Sequence, residues 1–176
     1  MNHHVAVNGP GLADAEWQRL TGAANDAFAA GDRLREALLL YRAAFAEAER
    51  LFHAAEIAPS DVPAPTIFVV SCQNLAEATR RSEGDEAARA WLRRAFDRLV
   101  ATAESPRMPL NLRIDCMRDL KIAFLSLAEH NRDEAAFAPE KQGLIERGRS
   151  AVLSVTQLVE HFARAGCEKA GTGFSH

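Results

Sequence analysis

Apolar residues recur at intervals of three and four along most of this chain, the spacing that places them on one face of an α-helix. The stretch AGDRLREALLLYRAAFAEAERLF, residues 30–52, shows this pattern most clearly and keeps its apolar stripe for about five turns. Five other stretches repeat it, around Ala24, Leu75, Leu92, Leu120 and Val152. The pattern therefore predicts six helical segments, the last of them long.

Glycine-aspartate pairs stand at two of the breaks between these segments. Gly31-Asp32 and Gly84-Asp85 each follow an apolar stripe and precede the next one. We expect each glycine to end a helix in the left-handed conformation. The aspartate that follows is then expected to cap the next helix with its side chain.

Proline marks the remaining breaks. Three prolines in IAPSDVPAP, residues 57–65, and two in SPRMP, residues 105–109, forbid a continuous helix there. Pro139 is predicted to stand in the first turn of the last helix, where its missing N–H costs nothing. The β-branched run at 66–70 reads like a strand, but no second strand pairs with it, so a helix is predicted.

Composition supports an all-α protein. The 176 residues suit one domain, and 48 % apolar with 26 % charged residues is typical of a soluble globular protein. Alanine, leucine, arginine and glutamate dominate, and these side chains lose little entropy in a helix. We predict a single helical domain over residues 13–166, a flexible leader over 1–12 and a disordered tail over 167–176.

Charge and cysteine usage exclude several functional classes. The net charge is −3 and the arginines are scattered, so the basic stripe of a nucleic-acid-binding protein is missing. No stretch resembles a signal peptide or approaches the roughly 18 apolar residues of a membrane span. The three cysteines form no CxxC pair, which favours reduced thiols and a cytoplasmic protein.

A second pattern emerges when the segments after the two glycine-aspartate pairs are aligned. Small, large and small residues recur there with the same spacing, as Ala37, Tyr41 and Ala44, and again as Ala88, Leu92 and Ala95. This pattern resembles the tetratricopeptide repeat, and the resemblance covers roughly residues 13–104. It implies antiparallel helix pairs stacked as a right-handed superhelix, here with long helices. Tyr41 and Trp91 are then expected to be buried at helix interfaces.

The spacing of the two glycines departs from that family. Gly31 and Gly84 are 53 residues apart, whereas the family repeats about every 34 residues. No consensus proline closes the first helix pair either. A generic antiparallel helical bundle therefore stays open as the alternative.

The resemblance implies a non-enzymatic protein–protein interaction module that holds a peptide or a helix in a concave groove. Asn25, six residues before Gly31, and Asn74, in CQNLAEA, are similar to the asparagines with which co-chaperone relatives clamp a terminal carboxylate. The lysine of that clamp is replaced by Thr21, so two ordinary helix-face asparagines are the competing interpretation. Arg113 is the predicted charge for an acidic partner.

Chemical motifs give little support to the other functions. Glu49, His53 and Glu56 share a helical face and could ligate a metal, but no second helix supplies matching ligands. Asp115 and Asp119 are a stacked pair better explained by ion pairing than by catalysis, and Cys116 lies in an apolar stripe.

No phosphate loop, nucleophile elbow or dinucleotide fingerprint is present in the sequence. We therefore predict no catalytic residue, no metal and no cofactor. A homodimer through the last helix, and a ligand-binding bundle or enzyme with a site between helices, stay open as alternatives.

Overall fold

The computed structural model describes residues 13–130 and 134–171, with the side chains of the last helix described from 137 to 164. Six α-helices make up the described part, and it contains no strand: α1 (Ala15–Ala29), α2 (Leu34–Ile57), α3 (Ala64–Glu83), α4 (Asp85–Glu104), α5 (Leu110–His130) and α6 (Glu134–Gly171). The all-α prediction is confirmed. The predicted leader 1–12 lies outside the described residues, as do residues 172–176 of the predicted tail. The first part of that tail, 167–171, belongs to α6.

The odd-numbered helices form one layer. The Trp17 indole on α1 donates a hydrogen bond of 2.8 Å to the Ser71 hydroxyl on α3. Between α3 and α5, Thr66 donates to Asp119 at 2.7 Å and Gln73 donates to Ser126 at 2.6 Å. Both α3–α5 pairs are 53 residues apart, so these two helices run parallel in a constant register.

The even-numbered helices form the second layer. Phe45 on α2 packs against Trp91 on α4 with ring centroids 5.1 Å apart, and Arg94 on α4 donates to Glu49 on α2 at 2.6 Å. The next contact in the layer joins α4 to α6, where Arg147 donates to Asp97 at 2.7 Å. From α3 onward, each helix therefore contacts both of the helices that precede it.

The core lies between the two layers. The small residues of the repeated pattern are all at most 2 % exposed, which lets helix backbones approach closely: Ala37, Ala44, Ala88 and Ala95. Larger side chains fill the space around them, as where Phe68 contacts both Phe45 and Phe52 with centroids 5.4 and 5.3 Å away. Tyr41 is 5 % exposed, as predicted. Trp91, which was predicted to be buried, is only partly buried, with Phe45 and Arg94 against its ring.

Both glycines have a positive φ, as predicted, but a ψ of 179° puts Gly84 outside the left-handed helical region, and neither aspartate is a cap residue. Gly31 and Gly84 have φ of +79° and +97°. Neither Asp32 nor Asp85 caps a helix, since the N-cap residues are Arg33 and Gly84 and neither makes a side-chain cap bond. Gly84 is shared by α3 and α4, so the carboxylate of Asp85 already lies in the first turn and acts on the helix dipole by its charge.

The prediction that Pro139 opens the last helix is wrong. The helix α6 begins at Glu134, and Pro139 lies inside it. As the sixth residue of α6, Pro139 lies past the four N–H groups that have no intrahelical partner, so it removes one regular hydrogen bond and its ring crowds the carbonyl one turn before it. Pro139 is therefore an unfavourable interior residue of the helix.

Gly84→Ala should lower the free energy of unfolding by about 1–3 kcal/mol, because a φ of +97° with a ψ of 179° is a conformation essentially restricted to glycine. A Cβ at Gly84 would meet nothing within 4 Å, so the effect isolates backbone strain. The matched control is Gly22→Ala in the exposed interior of α1, where a Cβ is equally free and about 0.5–1 kcal/mol of stabilisation is expected. Urea denaturation measures both. Equal effects at the two positions would contradict the assigned geometry.

Candidate functional site

The face formed by α2, α4 and α6 carries paired charges. Arginines of α4 reach to both sides, Arg94 to Glu49, Arg98 to Glu56 and Arg93 to Glu140. A groove of about 600 Å³ lies between α2 and α4 over Phe52 and Phe68. Its cations already have carboxylate partners within the chain, so this face has little charge left for a ligand.

The same ion pairs argue against a metal site at Glu49, His53 and Glu56, because both carboxylates are already engaged. The first glutamate accepts from Arg94 and the second from Arg98, while the His53 ring nitrogen lies 3.1 Å from Glu56. Within the described residues, no three His, Cys, Asp or Glu side chains are grouped so that they could hold a metal ion. These three residues form part of the ion-pair network between helices.

The two predicted asparagines lie on neighbouring helices of the other layer. The Asn25 carbonyl accepts a hydrogen bond of 2.7 Å from the Tyr41 hydroxyl, which ties α1 to α2. Asn74 is half-buried on α3. The Trp17–Ser71 bond spans 54 residues and so places Asn74 level with Leu20, about one and a half turns away from Asn25.

Arg113 occupies a different position from the one predicted. Its side chain is buried, with 4 % of the residue exposed. Its Nε donates to the carbonyl of Ala103 at 2.8 Å and its Nη2 donates to the Ser154 hydroxyl at 3.1 Å. Arg113 therefore links α5 to the last turn of α4 and to α6, and it is not an exposed charge in a groove. The sequence carried the signal, since Arg113 stands three residues before the buried Cys116 on the apolar stripe of α5.

The buried cysteines are poor nucleophiles. Cys72 and Cys116 are free thiols with 0 % exposure, and burial raises the pKa of each to about 12. Since the thiolate is the reactive form, both are expected to be inert at neutral pH. Asp115, which neighbours Cys116, accepts from Arg118 at 3.0 Å, as the ion-pair interpretation predicted.

In a Cys167→Ser background, native Cys72 and Cys116 should react with a thiol reagent about a thousandfold more slowly than the denatured chain, because their pKa lies near 12 instead of 9. The shift also affects stability. Unfolded thiols ionise first as the pH rises, so stability present below pH 9 should be lost progressively towards pH 12. Fast labelling of the native protein at neutral pH would contradict this burial.

An apolar groove of about 520 Å³ opens between α5 and α6 at one end of the stack. Its floor consists of Phe96, Leu120, Leu144 and Gly148, and its walls of Met117, Lys121, Phe124, Ile145, Arg149, Val152 and Leu153. We call this surface the end groove. Leu153 is 59 % exposed at its edge, and Ile122 and Leu125, which follow Lys121 by one and four residues on α5, are 50 % and 42 % exposed without lining the groove. Exposed apolar side chains concentrated in this way mark an interaction surface.

The position of the end groove follows from how the helices stack. Each helix from α3 onward packs on the two before it, so a further helix in the series would lie on α5 and α6. No described helix occupies that place. Sequence reasoning missed the groove because it looked for polar ligands on the odd-numbered helices. The available signal was the apolar residues that lie outside the buried stripes, such as Val152 and Leu153.

One protein-family model matches most of this chain. The family model described as "Protein of unknown function (DUF2753)" matches residues 15–168. The chain belongs to this family. The matched DUF2753 range begins at the first residue of α1 and includes both walls of the end groove and Arg113. No curated protein and no solved structure matches the chain.

None of the described helices has a stretch long and apolar enough to cross a bilayer.

Proposed function

We propose that this chain is a non-enzymatic protein–protein interaction module that binds a helix or a peptide of another protein. The observation that carries the proposal is the end groove. Its lining is almost entirely apolar and its edge residue Leu153 is 59 % exposed, so a partner would remove a large apolar area from water. Grooves of this kind bind the apolar face of an amphipathic helix.

The helical arrangement supports a tetratricopeptide-like architecture as part of this proposal. Alternate helices share a layer, and α3 and α5 keep a register of 53 residues through two hydrogen bonds. Stacked helix pairs of this kind present extended surfaces for partners. The concave surface implied by the resemblance would include Asn25 and Asn74. Arg113 is buried and is left out of it.

The proposal is tested by selecting peptides from a phage-displayed library of helical sequences on the wild-type protein. Enriched peptides should lose binding to Leu153→Asp, which places a charge in the end groove. The matched control is Leu39→Asp on α2, because Leu39 is 64 % exposed and does not line the groove. Peptides that bind all three proteins equally would remove the end groove as the site.

A homodimer through α6 is the second candidate. Val159 and Phe162 on α6 are 41 % and 56 % exposed. They lie beyond Ser154, the position at which α6 bonds to Arg113 of α5. Phe162→Asp should abolish dimerisation measured by light scattering after gel filtration. A monomer at all concentrations would eliminate this candidate.

A cytoplasmic location is also part of the proposal. It is supported by the free thiols Cys72 and Cys116, which have no disulfide partner among the described residues.

A further inference from the structure

Two cations stand in the walls of the end groove. Lys121 projects from α5 and Arg149 from α6, and both side chains are exposed. Within the described part of the chain, neither forms an ion pair. Arg94 and Arg147, on the face formed by α2, α4 and α6, each bind a carboxylate. The groove therefore combines an apolar floor with unneutralised positive charge at both edges.

The local sequence explains why these two charges are unpaired. Residues four positions away on a helix are neighbours, and both cations have apolar residues there. Met117 and Leu125 flank Lys121, and Ile145 and Leu153 flank Arg149. Glu146 stands three residues before Arg149, but its carboxylate accepts a hydrogen bond of 2.9 Å from Gln142 and forms no ion pair with Arg149. Both cations are therefore available to a bound partner.

The dimensions of the groove suit a short helix. Its walls run from Met117 to Phe124 on α5 and from Ile145 to Leu153 on α6. At a rise of 1.5 Å per residue this is a length of about 12 Å, or somewhat more than two turns. The stacking order indicates a helix as the occupant, because α5 and α6 each fill the same kind of place on the two helices before them.

We propose that the end groove binds an amphipathic helix with acidic side chains along both edges of its apolar stripe. This inference rests on the proposed function and specifies its partner. Apolar residues spaced i, i+3 or i+4, and i+7 would cover Phe96 and Leu120 on the floor. One acidic edge would meet Lys121 and the other Arg149, so that both cations gain the carboxylates they lack within the described residues.

Charge also argues against a second copy of this chain as the occupant. A two-fold dimer brings the same patch of both subunits together. Two end grooves facing each other would place both copies of Lys121 and Arg149 in one interface. Like charges opposed in this way weaken association. A different partner that supplies acidic residues satisfies the groove better.

The test uses two synthetic helical peptides of about 18 residues with the same leucine stripe, one with glutamate and the other with lysine along both edges. Fluorescence anisotropy of the labelled peptides measures their affinity for the full chain. The glutamate peptide should bind about tenfold more tightly than the lysine peptide, and added salt should reduce the difference. The Lys121→Glu/Arg149→Glu variant should reverse the preference. Arg35→Glu, at an exposed position on α2 that does not line the groove, should leave it unchanged.

The possible outcomes separate this inference from the proposed function. Equal affinity for both peptides, with binding lost in Leu153→Asp, would overturn the acidic partner and retain the interaction groove. Failure of both peptides to bind, or binding that survives Leu153→Asp, would overturn the groove itself. A dimer in light scattering that Leu153→Asp dissociates would assign the groove to a second copy and overturn the inference.

Discussion

Phe96→Ala is expected to lower the free energy of unfolding by about 3–5 kcal/mol, the range for a large aromatic side chain truncated in a core. Phe96 is 1 % exposed and lies where α4, α5 and α6 meet. Its ring is 6.4 Å from that of Phe124, the Arg147 guanidinium stands over it at 5.6 Å, and a Cβ placed on Gly148 would lie 3.9 Å from it. Because the backbones of three helices hold the neighbouring side chains in place, the cavity left by an alanine at position 96 cannot be filled completely. Denaturant unfolding followed by circular dichroism measures the loss.

Phe162→Ala is the matched control for this truncation. Phe162 is also a phenylalanine on a helix, but 56 % of it is exposed. Its truncation should change stability by no more than about 0.5 kcal/mol in the monomer. Comparable losses at the two positions would mean that Phe96 does not join α4 to α5 and α6. Since Phe96 also forms the floor of the end groove, a peptide selected on the wild-type protein should bind the alanine variant more weakly at temperatures where the variant stays folded.

The helices could be predicted from the sequence because their stripes are long and their breaks are marked by glycine or proline. Gly31 and Gly84 are 53 residues apart. The hydrogen bonds from Thr66 to Asp119 and from Gln73 to Ser126 span the same distance along the chain. The glycine spacing thus equals the offset between α3 and α5, and the Trp17–Ser71 bond between α1 and α3 spans 54 residues. Capping was predicted less well, because a shared Gly84 leaves no room for a separate cap residue.

The candidate site was harder to predict, for a physical reason. The sequence pattern of an apolar helix residue is the same whether or not a neighbouring helix covers that residue. Leu120 is 5 % exposed and Leu153 is 59 % exposed, and the difference depends on which helix ends the stack. Lys121 and Arg149 likewise look like ordinary surface charges until α5 and α6 are brought side by side. The end groove is therefore a property of the helix order, which periodicity does not encode.

Arg113→Ala should destabilise the protein by about 1.5–3 kcal/mol, the value for hydrogen bonds made by a charged group. The substitution leaves the Ala103 carbonyl in the last turn of α4 without its donor, and the Ser154 hydroxyl loses its link to α5. That carbonyl belongs to the negative end of the α4 dipole, which stabilises the buried guanidinium. Thermal unfolding of the variant and the wild type measures the change.

Arg118→Ala on the same helix is the matched control for Arg113→Ala. The Arg118 side chain is 71 % exposed and pairs with Asp115 at the surface, so its removal should cost no more than about 1 kcal/mol. If Arg113 pointed into an open groove, Arg113→Ala would lower stability as little as Arg118→Ala does, and it would weaken peptide binding strongly. The buried position predicts the reverse, a large loss of stability with the affinity of the remaining folded protein unchanged. Arg113→Lys should recover only part of the stability, because a single ammonium group cannot reproduce the fork that reaches Ala103 and Ser154 together.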